Sequence, residues 1–514
     1  MSCTTILVGK NASYDGSTIV ARNEDSPSGK FTPKKFCVVQ PSEQPRHYKS
    51  ILSHVKLTLP NHPQRYTSLP DAVPVEGIWA EAGVNEYNVS MSATETLTTN
   101  PRVLGADPLV ELVPAQKKSE SSPYTAEKPG GIGEEDMVTL VLPYIRTARD
   151  GVKLLGGLLE RYGTYENNGI AFSDVNEIWW LETVGGHHWI AKRVPDNAYV
   201  TMPNQLGIDS FDLDDAFGEQ KEHMCSEDLV EFMAKAHLDL TPREDVSAPA
   251  RVFNPREAFG SNDDSDRVYN TPRAWDIQRS LNPHTCTWEG TGADFTPEAN
   301  NIPWSRVPEH LITIEDVKYV LSLHFQGTPY DPYGHSTPAD AHRYRPIGVN
   351  RNGQLSVVQL RPYAPKQAQA VQWFAFSSNV FNALIPQYTN VNEVPTYFSN
   401  TTAQVSTESF YWANRLVAAM ADAHFGPCTQ HIERYQLKVG GLSQQLLNET
   451  DAQLETLIEE TEGAVTTDAK ATNLLEAANE HIAAMVRTQT DDLLDKVLFT
   501  ASLGMKNAFS RSDN

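Results

Sequence analysis

Short runs of β-branched and apolar residues, broken by turn residues, dominate the early part of the chain and give way to a helix-like pattern at its end. Residues 4–8 (Thr-Thr-Ile-Leu-Val) and 17–21 (Ser-Thr-Ile-Val-Ala) flank a turn-rich segment that ends in Asp15-Gly16, which predicts a hairpin. Antiparallel pairing across that turn puts Cys3 near Arg22, with Asn23, Glu24 and Asp25 just beyond. Residues 78–92 read as two more strands around a turn at 85–88, and residues 114–133, rich in Pro, Gly, Ser and Lys, read as an exposed loop. Glu134, Glu135 and Asp136 precede an apolar stretch, as suits the positive end of a helix over 134–148, and a second helix is expected over 150–162. Three strand-like runs follow at 170–172, 177–182 and 188–194, the last two separated by Val184-Gly185-Gly186, so a β-meander is expected. From Leu442 onward Leu446, Leu447, Leu454, Leu457 and Ile458 recur at three-, four- and seven-residue spacings, which predicts amphipathic helices covering the core or an oligomer surface.

With 514 residues, 40% of them hydrophobic, the chain can form one large enzyme domain or several smaller ones. Its net charge of -23 argues against a nucleic-acid backbone or an anionic membrane as partner and leaves small molecules or peptides. No apolar stretch approaches the ~20 residues of a membrane span, and the N-terminus lacks the basic and apolar parts of a signal peptide, so a cytoplasmic location is expected. The five cysteines (Cys3, Cys37, Cys225, Cys286 and Cys428) are odd in number and contain no Cys-x-x-Cys pair, so neither a disulfide framework nor a zinc cluster is suggested. His187 and His188 are adjacent and point to opposite strand faces, and Asp331, His335, Asp340 and His342 lie in a Pro- and Gly-containing stretch without a His-Glu-x-x-His helix. Structural roles are expected for them, with no metal and no organic cofactor. The absence of a Gly-x-Ser-x-Gly elbow lowers the case for a serine hydrolase.

The chemistry concentrates at Cys3. Removing Met1 and Ser2 leaves one residue with both a thiol and a free α-amine, and an amine whose ordinary pKa is roughly 8 can take the thiol's proton near neutral pH. A guanidinium from Arg22 favours the thiolate by charge attraction. Peptide or amide hydrolysis by an N-terminal nucleophile is therefore the leading expectation. Considered alone, a cysteine near a terminus is more often a small buried apolar residue.

Cys3-Thr4-Thr5-Ile6-Leu7-Val8-Gly9-Lys10, the run from Gly16 to Asp25 that contains Arg22-Asn23-Glu24-Asp25, and Ser92-Ala93-Thr94-Glu95-Thr96 together resemble the cysteine dipeptidases of peptidase family C69. The likeness continues through Gly131-Ile132-Gly133-Glu134-Glu135-Asp136, Trp179-Trp180-Leu181-Glu182-Thr183, His187-His188-Trp189-Ile190-Ala191, Tyr269-Asn270-Thr271-Pro272-Arg273-Ala274-Trp275 and Arg345-Pro346-Ile347. That family is more distantly similar to the bile salt hydrolases and penicillin V acylases. The resemblance implies an α+β fold: an N-terminal nucleophile hydrolase αββα sandwich of two stacked antiparallel sheets flanked by helices, with a helical C-terminal extension. Residues 1–2 would be a propeptide, 3–440 the catalytic domain and 441–514 the extension.

By the same resemblance Arg22 and Asp25 match an Arg-Asn-x-Asp motif that follows the nucleophile. An oxyanion-hole asparagine falls on Asn204 and a second arginine on Arg273. The acylases' further asparagine falls on Glu95, which cannot donate a hydrogen bond while ionised. Glu95 or Asp25 is expected to pair with the α-ammonium of a dipeptide instead. Dipeptides are the expected substrates and a homo-oligomer the expected assembly. Two alternatives stay open: an acylase-type amidase, and a non-enzymatic protein of the secernin kind.

Overall fold

The structure, a computed structural model, describes residues 3–27, 30–117, 124–461 and 464–507; the side chains of Thr94, Glu95 and residues 464–467 lie outside the description. Its centre is the hairpin of Cys3–Val8 and Thr18–Asp25, whose fourteen residues are all buried. Strands buried on both faces need apolar or internally paired side chains on both, and the alternation here sorts them. Ile6, Val8, Ile19 and Ala21 pack toward a layer of helices, while Leu7 and Val20 pack toward a second sheet. The pairing register sets Cys3 opposite Glu24 and Thr5 opposite Arg22, so Cys3, Thr5, Arg22 and Glu24 share the face between the sheets.

The hairpin lies inside a seven-stranded sheet. Cys3–Val8 pairs with Tyr199–Met202, and Thr18–Asp25 pairs with Asn352–Leu360, which continues to Ala370–Phe376 and Ile385–Tyr388. All of these pairings are antiparallel. The facing six-stranded sheet runs in the order His223–Cys225, His188–Arg193, Ile178–Val184, Asn168–Ser173, Ser90–Thr96, Ala82–Val84, so the expected meander forms its middle. Leu7, Val20, Ala171, Trp180, Val200 and Met202 fill the space between the two sheets.

Helices complete both outer faces. Glu134–Val141 and Ala148–Tyr162 cover the six-stranded sheet, and Gly151 and Gly156 allow the close approach: a Cβ on them would stand 2.3 Å from Phe172 and 2.4 Å from Trp189. Thr271–Leu281, Ile314–Val320 and the long helices Phe425–Glu460 and Ala464–Leu503 cover the seven-stranded sheet. The last two are the amphipathic tail expected from the leucine spacing, although the first begins at Phe425, before the composition shifts. Phe425, Cys428 and Ile432 continue its apolar face upstream. This is an αββα sandwich with a helical C-terminal region. Among the described residues no helix is long and apolar enough to cross a membrane.

The expected exposed loop at 114–133 is exposed where described up to Pro129, but Gly130, Gly131, Ile132 and Gly133 are buried. A Cβ on Gly131 would meet the backbone of Gly163 at 2.5 Å, so this end of the loop is pressed into the body of the protein just before the helix at Glu134.

Candidate active site

Cys3 is fully buried at the open end of the central hairpin, and its neighbours arrive from both layers. From the adjacent strand, Arg22 donates from Nη2 to Cys3 Sγ at 2.9 Å. The diagonal offset of one residue pair is what a long guanidinium side chain spans on one sheet face. A fixed cation at that distance favours the thiolate, the nucleophilic form of the residue.

Arg22 is itself held from the opposite sheet. Its Nη1 donates to Glu81 and to the carbonyl of Ala93 (2.5 Å), and its Nη2 pairs with Glu134 at 3.1 Å. Glu134 reaches the site from the first turn of the helix Glu134–Val141, which packs on that sheet. Glu81 reaches it from a left-handed backbone conformation, φ 60°, two residues after Trp79 at φ 51°. Such conformations cost energy in non-glycine residues and persist where the surroundings fix them.

Behind Glu81 sits a second buried cation. Lys34 pairs with Glu24 (2.9 Å), Asp71 (2.6 Å) and Glu81 (3.6 Å) with its side chain wholly excluded from solvent. Two cations thus face four carboxylates, and burial together with the Glu24 charge pushes Glu81 up to about 8 against the pull of Arg22 and Lys34. Burial likewise lifts Asp71 to about 6.

The backbone of Cys3 is fixed from the helical layer. Arg273, buried in the helix Thr271–Leu281, donates from Nη1 to the Cys3 carbonyl and to Thr4 Oγ1 (2.8 Å). Its Nη2 bonds Asn204 Oδ1 and Asn270 Oδ1, both at 2.8 Å. Asn204 Oδ1 also accepts from the Cys3 nitrogen at 3.2 Å, while its Nδ2 donates to the Thr96 carbonyl at 2.9 Å. The nitrogen that would become the α-amine therefore has a fixed acceptor.

Asp25 faces the helical side of the sheet, where it contacts Arg345 and accepts from Asn352 Nδ2 at 2.5 Å. Cys3, Arg22, Asn204 and Arg273 are thus in one hydrogen-bonded assembly, and Asp25 stands beside it on the other face of the same strand. Glu95 follows an irregularity in the pairing of Ser90–Thr96, two residues after the Ala93 carbonyl that binds Arg22; its side chain lies outside the described ones.

No site role was expected of Glu81, Glu134, Lys34 or Arg345, although Glu134 and Arg345 lie within motifs that carry the family resemblance. Glu81 left one trace, a lone carboxylate inside the apolar run Trp79-Ala80-Glu81-Ala82, while Lys34 left none. His187 and His188 share Asp107, whose two oxygens accept from their Nδ1 atoms at 2.9 and 2.7 Å, and His188 stacks on Phe232. Among the described residues no group of His, Cys, Asp and Glu is arranged to hold a metal ion.

The two-sheet sandwich thus holds Cys3 buried at the start of its central strand, beside a clamped arginine. Peptidase family C69 matches residues 2–438, and the chain belongs to that family of peptide hydrolases. It is 55% identical to the "Dipeptidase" of Bifidobacterium longum (strain NCC 2705), over the full length of both chains. It is 51% identical to the "Probable dipeptidase A" of Streptococcus pyogenes serotype M18 (strain MGAS8232), over all of this chain and 98% of that one. To the "Dipeptidase A" of Lactobacillus helveticus it is 41% identical over 96% of each chain.

Proposed function

We propose that the chain is a cysteine dipeptidase, cleaving dipeptides with a broad range of side chains through the Cys3 thiolate and a covalent acyl-enzyme. The observation that carries this reading is the Arg22 guanidinium 2.9 Å from Cys3 Sγ with the Cys3 nitrogen on Asn204, in a chain of the C69 family. Loss of residues 1 and 2 frees the α-amine. That amine takes the thiol proton, directly or through water, and delivers it to the leaving amine as the thiolate adds to the scissile carbonyl. Collapse of the tetrahedral intermediate expels the C-terminal amino acid, and water then releases the N-terminal one from the thioester.

Asn204 and a backbone N–H stabilise the oxyanion, Arg22 holds the sulfur as thiolate, and Arg273 fixes the Cys3 backbone. Asp25 acts one step removed, through Arg345 and the strand it shares with Arg22. Glu95 receives the substrate's α-ammonium, which selects free N-termini over acylated amines. Residues 3–440 carry the chemistry and 441–514 cover the sheet. A cytoplasmic homo-oligomer that binds no nucleic acid fits the charge and the tail helices.

Intact-mass analysis of the purified enzyme, paired with a dipeptide assay of wild type and Cys3→Ser, tests the mechanism. A mature chain beginning at Cys3 and an inactive Cys3→Ser protein are expected. A fully active product still beginning with Met1 or Ser2 would overturn it. The substrate class is tested by comparing dipeptides with penicillin V and conjugated bile salts. Faster turnover of either acylase substrate than of any dipeptide would favour the amidase reading instead.

A further inference from the structure

A cavity of about 830 Å³ opens on the helical side of the seven-stranded sheet, between the helix Ile314–Val320, residues 380–384 and the long helix Phe425–Glu460. None of the residues around Cys3 lines it. Its volume falls within the range of sites for drug-sized ligands, and Ile314, Trp373, Phe381, Leu384, Phe425 and Ile432 give it apolar walls.

Two features of the lining point to an occupant. The first is Lys318, whose ammonium donates to Ser322 Oγ at 2.8 Å and to the Asn379 carbonyl at 2.5 Å, and which no carboxylate among the described residues pairs with. An ammonium has three protons to give, and taking one into an apolar wall without a counter-ion is costly. Burial alone brings Lys318 down to about 7, the mark of a cation without a compensating charge. The second is the pair Gly440-Gly441 in the middle of the long helix. Consecutive glycines weaken a helix interior, yet a Cβ on either would meet nothing within 4 Å, so no packing contact requires them. What they leave is room in the cavity they line.

We propose that this cavity binds an apolar monocarboxylate, with the carboxylate on Lys318 and the hydrocarbon body along Trp373, Phe381 and Leu384. A single negative charge is specified by the other titratable groups around it. Glu315 and Tyr319 lie on the helix of Lys318, His324 and Asp331 in the segment after it, and Glu433 on the long helix. Lys318 is the one ammonium in the lining and can meet one negative charge; the second charge of a dianion such as phosphate would face Glu315, Asp331 and Glu433 with no cation to pair it, and the His324 ring is already engaged with Asp331 at 2.9 Å.

Isothermal titration with decanoate and with decanol, on wild type, Lys318→Met and Gly440→Leu, tests the assignment. Wild type should bind one decanoate per chain at least tenfold more tightly than decanol. At pH 8, titrations in buffers of different ionisation heat should show proton uptake, because the bound carboxylate recharges the lysine. Lys318→Met should lose the preference for decanoate over decanol, and Gly440→Leu, whose Cβ meets no atom within 4 Å and whose branch extends into the cavity that Gly440 lines, should abolish both while dipeptide turnover and the melting temperature hold. Equal affinity for acid and alcohol, absent binding in wild type, or undiminished binding in Gly440→Leu would each overturn the proposal. So would light scattering that finds a dimer which Gly440→Leu breaks, since the groove would then hold a second copy. If Lys318→Met does not fold, the wild-type comparison of acid with alcohol and the Gly440→Leu arm still decide.

Discussion

Arg22 is the residue on which the site's electrostatics turn, because it touches the sulfur with one nitrogen and, with the pair, the carboxylates of Glu81 and Glu134. A lysine could supply the charge but not this three-way geometry. Arg22→Lys is therefore expected to lower kcat/KM by about a hundredfold or more, in the range seen when one stabilising donor is lost from an active site, and to slow alkylation of Cys3 by iodoacetamide at pH 7. Unchanged alkylation would mean that Arg22 does not govern the thiolate.

Glu81 carries a second prediction. Its carboxyl is pushed from 4.5 to about 8 by burial and by Glu24, so between those values the folded protein holds a proton that the unfolded chain has released. Unfolding free energy then falls as pH rises through that window. Glu135, Glu166 and Glu182, each raised to about 7 chiefly by burial, act in the same direction. Asp107 works oppositely: despite its burial, hydrogen bonds from His188 and His187 hold it to about 2, so its contribution is lost as pH falls from about 4 toward 2. The melting temperature should peak near pH 4 to 5 and decline toward pH 7, above which Lys318, lowered by burial to about 7, acts in the opposite direction, and Glu81→Gln should flatten the decline. A midpoint that climbs from pH 5 to 7 would contradict this account.

The Cys3 and Arg22 pairing was legible in the sequence because a hairpin is local, and strand alternation fixes which side chains meet. Glu81 and Glu134 meet Arg22 only after two sheets stack, which no spacing along the chain records.

Elements were legible where pattern and turn chemistry agreed. The hairpin and the meander stand where alternation puts them, and the tail is helical as its leucine spacing predicts, although its first helix begins at Phe425 and not at Leu442. The start of the helix Glu134–Val141 shows where that reading stops. Its three acids suit a helix N-terminus, a position usually open to water, yet all three are buried. Tyr48 donates to Asp136 at 2.6 Å, and Tyr165 and Ser50 donate to Glu135 at 2.6 and 2.9 Å. Those partners lie 88, 30 and 85 positions away in the chain, beyond the reach of any local signal.

The neighbouring helix Ala148–Tyr162 offers a sharper test, because its glycines look alike in sequence and differ in space. A Cβ on Gly151 would strike the Phe172 ring at 2.3 Å, whereas one on Gly157 would meet nothing within 4 Å. Gly151→Ala should destabilise by about 1–3 kcal/mol through overpacking, and Gly157→Ala should stabilise by roughly 0.5–1 kcal/mol through helix propensity. Denaturant midpoints of the two variants should therefore move in opposite directions. Movement in the same direction would show that the helix is not seated on the sheet as described.

On the scale of the whole molecule, the chain's last helices and its central sheet form one core. Leu447, Leu454, Ala471, Leu475 and Ala478 belong to the same buried cluster as Ile6, Val8, Leu355 and Trp373. Polar contacts reinforce the seam: Asp451 accepts from Arg361 at 2.6 and 3.1 Å and from Tyr388 at 2.8 Å, and Asn479 exchanges hydrogen bonds with the Tyr388 backbone at 2.9 and 3.0 Å. The proposed catalytic residues lie outside this seam, so the tail should act on stability and not on chemistry. Leu454→Ala leaves a void in a packed interior and should cost about 2–5 kcal/mol, while kcat and KM for a dipeptide at 25 °C stay within about twofold of wild type, as expected of a substitution that touches no group at the reacting atoms. A chain ending at residue 440 uncovers one outer face of the sheet, an apolar patch too large for a soluble monomer to expose, and should aggregate on expression. Recovery of a soluble, fully active 3–440 fragment would show instead that the sheet is covered without the tail, by an oligomer contact or by rearrangement of the helices upstream.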